Sequence, residues 1–337
     1  KVNMSWKSSE KINWGILGCA AIAEKSLIPA LKKAQGTELV AIASRSAAKA
    51  RDWAEKFNLP RSYGSYEDLL ADKEIEAVYI PLPNHLHFEW TVKALRAGKH
   101  VLCEKPLALT ASQVMEMFDE ARANKRQLME AFMYRFHPRL AKATELLESG
   151  AIGEPRLVQS AFTFVFKREE DNYRWAPQMG GGALYDVGCY TINAARLAFK
   201  AEPLEIRTAS HLDEKTGIDL TTSLLCQFSD GRQSLLASSF ELEFQSNLEI
   251  SGRDGSLFLS RVFSAKDFPT EIILRQGEKL TSFNFPPVDQ YQLMVEHFGQ
   301  TIAGRVSPLI DFHDSFGNAL ALEKALKSIR PRYSPQV

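Results

Sequence analysis

The chain has 337 residues, with 41 Lys plus Arg balanced by 41 Asp plus Glu, and 45% of it is hydrophobic. At roughly 100–200 residues per domain this length favours two domains, and the composition argues against a disordered, collagenous or coiled-coil chain. Zero net charge removes the broad electrostatic footprint of a nucleic-acid or membrane-surface binder, so an anionic ligand must be met by a local site.

Residues Lys1 to Lys11 lack the apolar core of a signal peptide, and no apolar run approaches the roughly 20 residues that span a bilayer. Cys19, Cys103, Cys189 and Cys226 are far apart, with no Cys-x-x-Cys pair and no His at zinc-ligand spacing. Buried free thiols, no metal and a reducing, cytoplasmic setting are the expectation. The sequence begins at Lys1, and Met4 could be the native start.

From Ile12 to about Ala131 short apolar runs alternate with amphipathic stretches, the pattern of βα units on a parallel sheet. Strands are predicted at Ile12–Leu17, Leu39–Ala43, Ala77–Ile80, His100–Cys103 and Leu128–Ala131. Helices are predicted at Ile22–Ala34, Ala47–Phe57, Phe88–Ala97 and Ala111–Ala123, where apolar residues recur every three or four positions. After Arg135 the rhythm changes to runs rich in Val, Phe, Thr and Leu: Arg156–Phe166, Glu205–Ser210, Leu220–Phe228, Gln233–Ser239, Asn247–Ile250, Ser256–Leu259, Glu271–Leu274 and Leu280–Phe285. Ser229-Asp230-Gly231 and Gly252-Arg253-Asp254-Gly255 read as hairpin turns, and an antiparallel sheet follows. Helices at Ala183–Phe199, Tyr291–Ala303 and Asp311–Ile329 are expected to cover one face of that sheet. The other face, left bare, would then take a partner subunit.

The first strand runs into Gly18-Cys19-Ala20-Ala21-Ile22-Ala23, which fits G-x-G-x-x-G/A with Gly18 first and Ala20 and Ala23 in the other two places. A Gly allows the tight turn, small residues let a pyrophosphate approach, and the helix start supplies free N–H groups. The second strand ends in Ser44-Arg45-Ser46 and not in the acid that holds a ribose 2′-hydroxyl. Arg45 can pair a 2′-phosphate, with Ser44 and Lys49 nearby, which favours NADP over NAD.

His100-Val101-Leu102-Cys103-Glu104-Lys105-Pro106 places Lys105 just after a buried strand, at the sheet edge where open α/β folds bind ligands. Pro81, Asn84 and His87 follow another strand to the same edge and are read as structural or cofactor-facing. Downstream, Gly180-Gly181-Gly182 opens a helix that carries Tyr185, Asp186 and Tyr190, the last two four residues apart and so on one face. Three glycines in a row suggest a close backbone approach. A Tyr beside a Lys cation can exchange a proton with an alcohol, although both tyrosines could instead be ordinary half-buried aromatics. Arg174 and Trp175, in the preceding loop, are expected to line the cleft against cofactor and substrate. Arg135 either faces the cleft or braces the domain crossing.

Glu104-Lys105-Pro106, Pro83-Asn84-His85-Leu86-His87 with Glu89-Trp90, and the Gly180–Tyr190 segment together resemble the family of glucose-fructose oxidoreductase, inositol dehydrogenase and the rhizopine catabolism protein. The resemblance implies an α/β chain: an N-terminal Rossmann domain, 1–131, followed by a substrate-binding and dimerisation domain, 132–337, with an open, mostly antiparallel sheet and its last helix packing back toward the first domain. It also implies nicotinamide-dependent oxidation or reduction of a sugar, polyol or related hydroxyl compound, and a homodimer or homotetramer formed through the open sheet. Tyr190 stands where many members carry His. Tyr63-Gly64-Ser65-Tyr66-Glu67 and Glu130-Ala131-Phe132-Met133-Tyr134-Arg135 point with it to the branch of dimeric dihydrodiol dehydrogenase and NADP-dependent xylose dehydrogenase. There Tyr190 would be the acid/base, Lys105 its partner and Asp186 a substrate contact. Two rivals are a regulator that binds nicotinamide nucleotide without catalysis and a sugar–sugar oxidoreductase that retains its NADP.

Overall fold

The structure, a computed structural model, describes residues 11–169 and 172–329. The readings placed on residues 1–10, Met4 among them, lie outside the described residues. The chain divides into two compact units. One comprises the described residues up to Ala108 with Ser112–Phe136 and Asp289–Ser315; the other comprises Leu109–Ala111, His137–Val288 and the described residues from Phe316. Among the described residues no helix is long and apolar enough to cross a membrane.

The first unit holds a six-stranded sheet of β1 (Ile12–Leu17), β2 (Thr37–Ala43), β3 (Arg61–Tyr63), β4 (Ala77–Ile80), β5 (His100–Cys103) and β6 (Leu128–Glu130). Its order is β3-β2-β1-β4-β5-β6 and every pairing is parallel. The order reverses beside β1, the switch point at which such sheets leave a crevice beyond their carboxyl ends. All four residues of β4 and the last three of β5 are buried, which is why these strands read as continuous apolar runs. Helices α1 (Ile28–Lys33), α2 (Ala47–Phe57), α3 (Tyr66–Ala71), α4 (His87–Arg96) and α5 (Ala111–Ala123) connect the strands. The predicted helix Ile22–Ala34 forms, with a π turn at Ala23–Leu27 running into α1. β3 and α3, absent from the sequence reading, span three and six residues, too few to display a period.

The second unit holds β7 (Pro155–Thr163), β8 (Glu205–Leu212), β9 (Asp219–Gln227), β10 (Gln233–Ser239), β11 (Gln245–Gly252), β12 (Ser256–Leu259), β13 (Thr270–Gln276) and β14 (Lys279–Phe285). They form an eight-stranded sheet in the order β14-β13-β12-β11-β7-β10-β9-β8. Neighbours are antiparallel except β7 and β10, which pair in parallel, so the sheet is mixed. The turns at Ser229–Gly231 and after Gly252 do join the antiparallel pairs β9–β10 and β11–β12. α6 (Pro138–Glu148), unforeseen, buries Leu140, Ala143 and Leu146, and α7 (Cys189–Phe199) packs on β7, β10 and β11. On the other face Leu225 and Leu235 stand 40% and 45% exposed.

One expected cover belongs elsewhere. The stretch Tyr291–Ala303 forms α8 (Gln290–Ile302), which packs in the first unit on α1 and on the turn at Met133–Phe136, not on the second sheet. Its buried Tyr291, Met294, Val295 and Phe298 make an apolar stripe, and Phe298 meets Trp14 of β1 at 5.8 Å. A stripe at helical spacing demands burial but does not name its partner. α9 (Phe312–Ser328) completes the described chain.

Candidate active site

In the first unit, β1 delivers Gly18 at φ +114°, where a Cβ would stand 2.8 Å from Leu82 Cδ2. Both the backbone and the space demand Gly. Its N–H donates to the Ala43 carbonyl at 2.9 Å, which ties the ends of β1 and β2. Cys19, Ala20 and Ile22 are half-buried and Ala21 is exposed. The π turn that follows has no side-chain cap from Ile22, so its first N–H groups are not spent on one.

Around this loop the end of β2 gathers cations. Ser44 is buried, and its hydroxyl accepts the Ser46 N–H at 3.2 Å; Arg45 and Lys49 are exposed. The Ser46 hydroxyl caps α2 by accepting the Lys49 N–H at 3.3 Å. Burial pushes the Cys19 thiol up, opposed by Lys49 and a hydrogen bond with Ser44. Burial likewise pushes the Tyr66 phenol up, opposed by the charge of Arg45 and a hydrogen bond with it. Tyr66 was quoted only as part of a family motif; the structure adds it to the Arg45 corner, its ring edge-on to Trp90 at 4.8 Å.

Lys105 follows β5 and is half-buried. Three buried side chains tie down the turn that carries it. Its own N–H donates to Glu104 Oε2 at 3.3 Å, the Leu107 N–H donates to Glu130 Oε1 at 2.8 Å, and His87 Nδ1 lies 2.8 Å from the Pro106 carbonyl oxygen. Glu104 also accepts the Tyr79 hydroxyl. His87, read as structural or cofactor-facing, is fully buried, and its Nε2 lies 2.7 Å from the Leu82 carbonyl. Burial pushes the imidazole down to about 4, with the two carbonyls opposing and Lys105 assisting. His87 thus braces both Leu82, beneath Gly18, and the Lys105 turn. Pro81 and Asn84 are buried beside it. Arg135 is a brace as well, its guanidinium paired with Asp314 in the same unit.

In the second unit the glycine run approaches the chain itself. A Cβ on Gly181 would stand 2.6 Å from the Arg174 carbonyl oxygen, and one on Gly182, at φ +106°, would stand 2.1 Å from Asp219 Oδ1. The N–H groups of Gly181 and Gly182 donate to the Ala176 and Arg174 carbonyls at 3.0 and 2.9 Å. A π turn at Leu184–Gly188 then precedes α7, in place of the regular helix assumed for the Asp186–Tyr190 spacing. Asp186 is 5% exposed and receives a fork from Arg174, Nε at 2.8 Å and Nη2 at 3.2 Å. The Arg174 guanidinium lies over Phe166 and Tyr173. Trp175 stacks on Phe166 at 6.2 Å.

The two tyrosines separate. Tyr185 donates its hydroxyl to the Leu109 carbonyl at 3.0 Å, and burial pushes its phenol up to about 12, which unsuits it to proton exchange. Tyr190 is 4% exposed, its ring edge-on to Phe162 and tilted to Phe263, each at 5.4 Å. Phe162 and Phe263 were legible only as apolar residues of a strand and a loop. The predicted residues therefore fall into two groups, Gly18 to Lys105 in the first unit and Arg174 to Tyr190 in the second.

Residues 12–132 match the oxidoreductase family with an NAD-binding Rossmann fold, and residues 140–258 match the GFO/IDH/MocA C-terminal domain. The chain is a GFO/IDH/MocA oxidoreductase. This GFO/IDH/MocA member is 43% identical over 324 residues to the oxidoreductase ORF334 of Rhizobium meliloti, across 94% of the chain and 96% of that relative. It is 37% identical to D-xylose 1-dehydrogenase (NADP(+)) 2 of Haloferax volcanii, over 90% of the chain and 92% of the relative. Among solved structures it is similar to KijD10, a 3-ketoreductase of Actinomadura kijaniata in complex with NADP and TDP-benzene: TM-score 0.90, 32% identity, 96% of this chain and 100% of that one.

Proposed function

We propose that this oxidoreductase binds NADP on its first unit and interconverts a hydroxyl and a carbonyl carbon of a sugar or a related hydroxyl compound. The observation that carries the cofactor is the Arg45 corner: a strand end without a carboxylate, an exposed Arg45 and Lys49, and the Ser44 and Tyr66 hydroxyls beside them. These residues fit a 2′-phosphate. The Gly18 turn, which a Cβ would fill, and the turn Cys19–Ile22 without a side-chain cap fit a pyrophosphate. The bound nicotinamide supplies or accepts hydride. Tyr190 gives or takes the hydroxyl proton, the Lys105 ammonium favours the phenolate that results, and Asp186, paired with Arg174, hydrogen-bonds substrate hydroxyls. The residues up to 131 form the cofactor domain and 132–337 the substrate domain, with Asp289–Ser315 serving the former. The relatives that act on D-xylose and on a 3-keto sugar support the substrate class.

A homodimer through the open sheet is supported by Leu225 and Leu235, bare on a face that also carries Ala161, Ala237 and Phe258 beside the polar Gln159 and Glu249. The four free thiols support a reducing, cytoplasmic setting. The test is a screen of aldoses, polyols, dihydrodiols and keto sugars with NADP and NADPH, followed by nicotinamide absorbance. Turnover with NADP well above that with NAD is expected. Tight NADP binding with no turnover in any class overturns the reading, and NADP that copurifies and cycles between two sugars favours the retained-cofactor rival.

A further inference from the structure

We infer that Asp219 is a positioning residue of the active site: its carboxylate fixes the Gly182–Leu184 backbone and, through it, Asp186 and Tyr190. The inference rests on the assignment of those two residues to the reaction.

Asp219 opens β9 and is 4% exposed, so it is shielded from substrate. Its Oδ2 accepts the Leu184 N–H at 2.7 Å and the Thr222 hydroxyl at 3.0 Å. The first N–H groups of a helical stretch have no partner within it, and here Ala183 supplies no side-chain cap. The cap comes from a strand 35 residues away. The other carboxylate oxygen occupies the space that a Cβ on Gly182 would take, which explains why a Gly stands there. The Gly182 N–H in turn holds the Arg174 carbonyl, and the Arg174 side chain forks onto Asp186. One buried carboxylate thus closes a circuit from β9 through the glycine loop to the Arg174–Asp186 pair, at the start of the helix that bears Tyr190. Burial pushes its carboxyl up to about 7 against the two hydrogen bonds, so the group is kept there at a cost.

Asp219→Asn keeps an oxygen for the Leu184 N–H; Asp219→Ala removes it; Asp219→Glu displaces it by one methylene. With a substrate found as above, D219N is expected to retain kcat within about threefold, while D219A and D219E lose about 100-fold in kcat with KM and NADPH affinity within about threefold, the scale expected of a misplaced reacting group. Should D219A fail to fold, D219E carries the same comparison. Full kcat in D219A or D219E, or a loss in D219N equal to theirs, overturns the inference. Hydrogen exchange over residues 182–190 of the NADPH complex provides a reading without substrate. Faster exchange in D219A than in D219N supports the clamp, and equal exchange overturns it. If the wild type turns over no sugar, the reaction assignment fails, and this exchange measurement still decides whether Asp219 holds the loop.

Discussion

Two glycine loops in this molecule each lead into a π turn, and they use glycine for opposite ends. At Gly18 a Cβ would press on the flexible Leu82 side chain, and the turn that follows has no side-chain cap, with exposed Arg45 and Lys49 at the neighbouring strand end. At Gly181 and Gly182 the space is already filled by the Arg174 and Ala176 carbonyls and by Asp219. The first loop packs on a side chain and leads into a turn without a side-chain cap, which the proposed cofactor site uses; the second is closed by backbone carbonyls and a buried carboxylate and delivers side chains. A run of glycines therefore signals close approach without saying whether a ligand or the protein arrives.

The sharpest test sets the residues that each loop serves against each other. Tyr190→Phe and Lys105→Ala are expected to lower kcat by about 10³-fold while leaving NADPH affinity, read by cofactor fluorescence, within a few-fold. Full turnover in both would remove the proposed acid/base pair. Arg45→Gln is expected to do the reverse, with kcat at saturating cofactor near wild type and NADPH binding weakened about 10- to 100-fold, the scale of a lost charge-assisted contact; NADH binding should be unchanged. An equal loss for both cofactors would refute the 2′-phosphate assignment.

Gly18→Ala and Gly182→Ala sharpen the contrast at smaller scale. Each forces a side chain to positive φ, at about 1–3 kcal/mol. In G18A the clash is with a flexible Leu82 side chain and the loss should appear in NADPH affinity. In G182A the Cβ displaces the Asp219 carboxylate, so the loss should appear in kcat and in thermal stability. A loss of NADPH affinity in G182A matching that in G18A would contradict the division of roles.

Much of this was legible in advance, for reasons that differ along the chain. β4 and β5 announce themselves because a parallel strand buried on both faces is a run of apolar residues, and the same runs place Lys105 at the sheet edge. Asp219 was invisible, since a single acid at a strand start has no period and its partner lies 35 residues away. The destination of α8 was hidden for a related reason: its buried stripe fits any apolar surface, and only the fold brings Trp14 to Phe298. For His87 the motif left a structural and a cofactor-facing role open, because it names a neighbourhood, while its burial and its two carbonyl neighbours are tertiary facts.

The smallest expected effect also divides the units, by sign. Each holds a titratable side chain that accepts a main-chain N–H: His100 Nδ1 from Gln127 at 2.9 Å in the first, Asp219 Oδ2 from Leu184 at 2.7 Å in the second. Burial, with Arg126 assisting, pushes His100 down to about 4, while burial pushes Asp219 up to about 7. Below the ordinary His value of 6.5 an unfolded chain gains a proton that the folded His100 refuses, so stability present above 6.5 is lost as pH falls toward 4. Between 3.8 and about 7 the folded Asp219 keeps a proton that the unfolded chain releases, so stability present below 3.8 is lost as pH rises through 7. Within the window from pH 5 to pH 6 the two slopes oppose, each at most about 1.4 kcal/mol per pH unit. His87 and His137, each also pushed down to about 4 by burial, add slopes of the His100 sign, so wild-type stability should rise across that window. Against the wild type over the same window, D219N should rise by about 1 kcal/mol more and His100→Gln by about 1 kcal/mol less, each a difference of roughly 2–4 °C in Tm by calorimetry. Departures of the same sign from the wild-type slope in the two variants would mean that the His100 and Asp219 proton sites are not the opposed pair their surroundings make them.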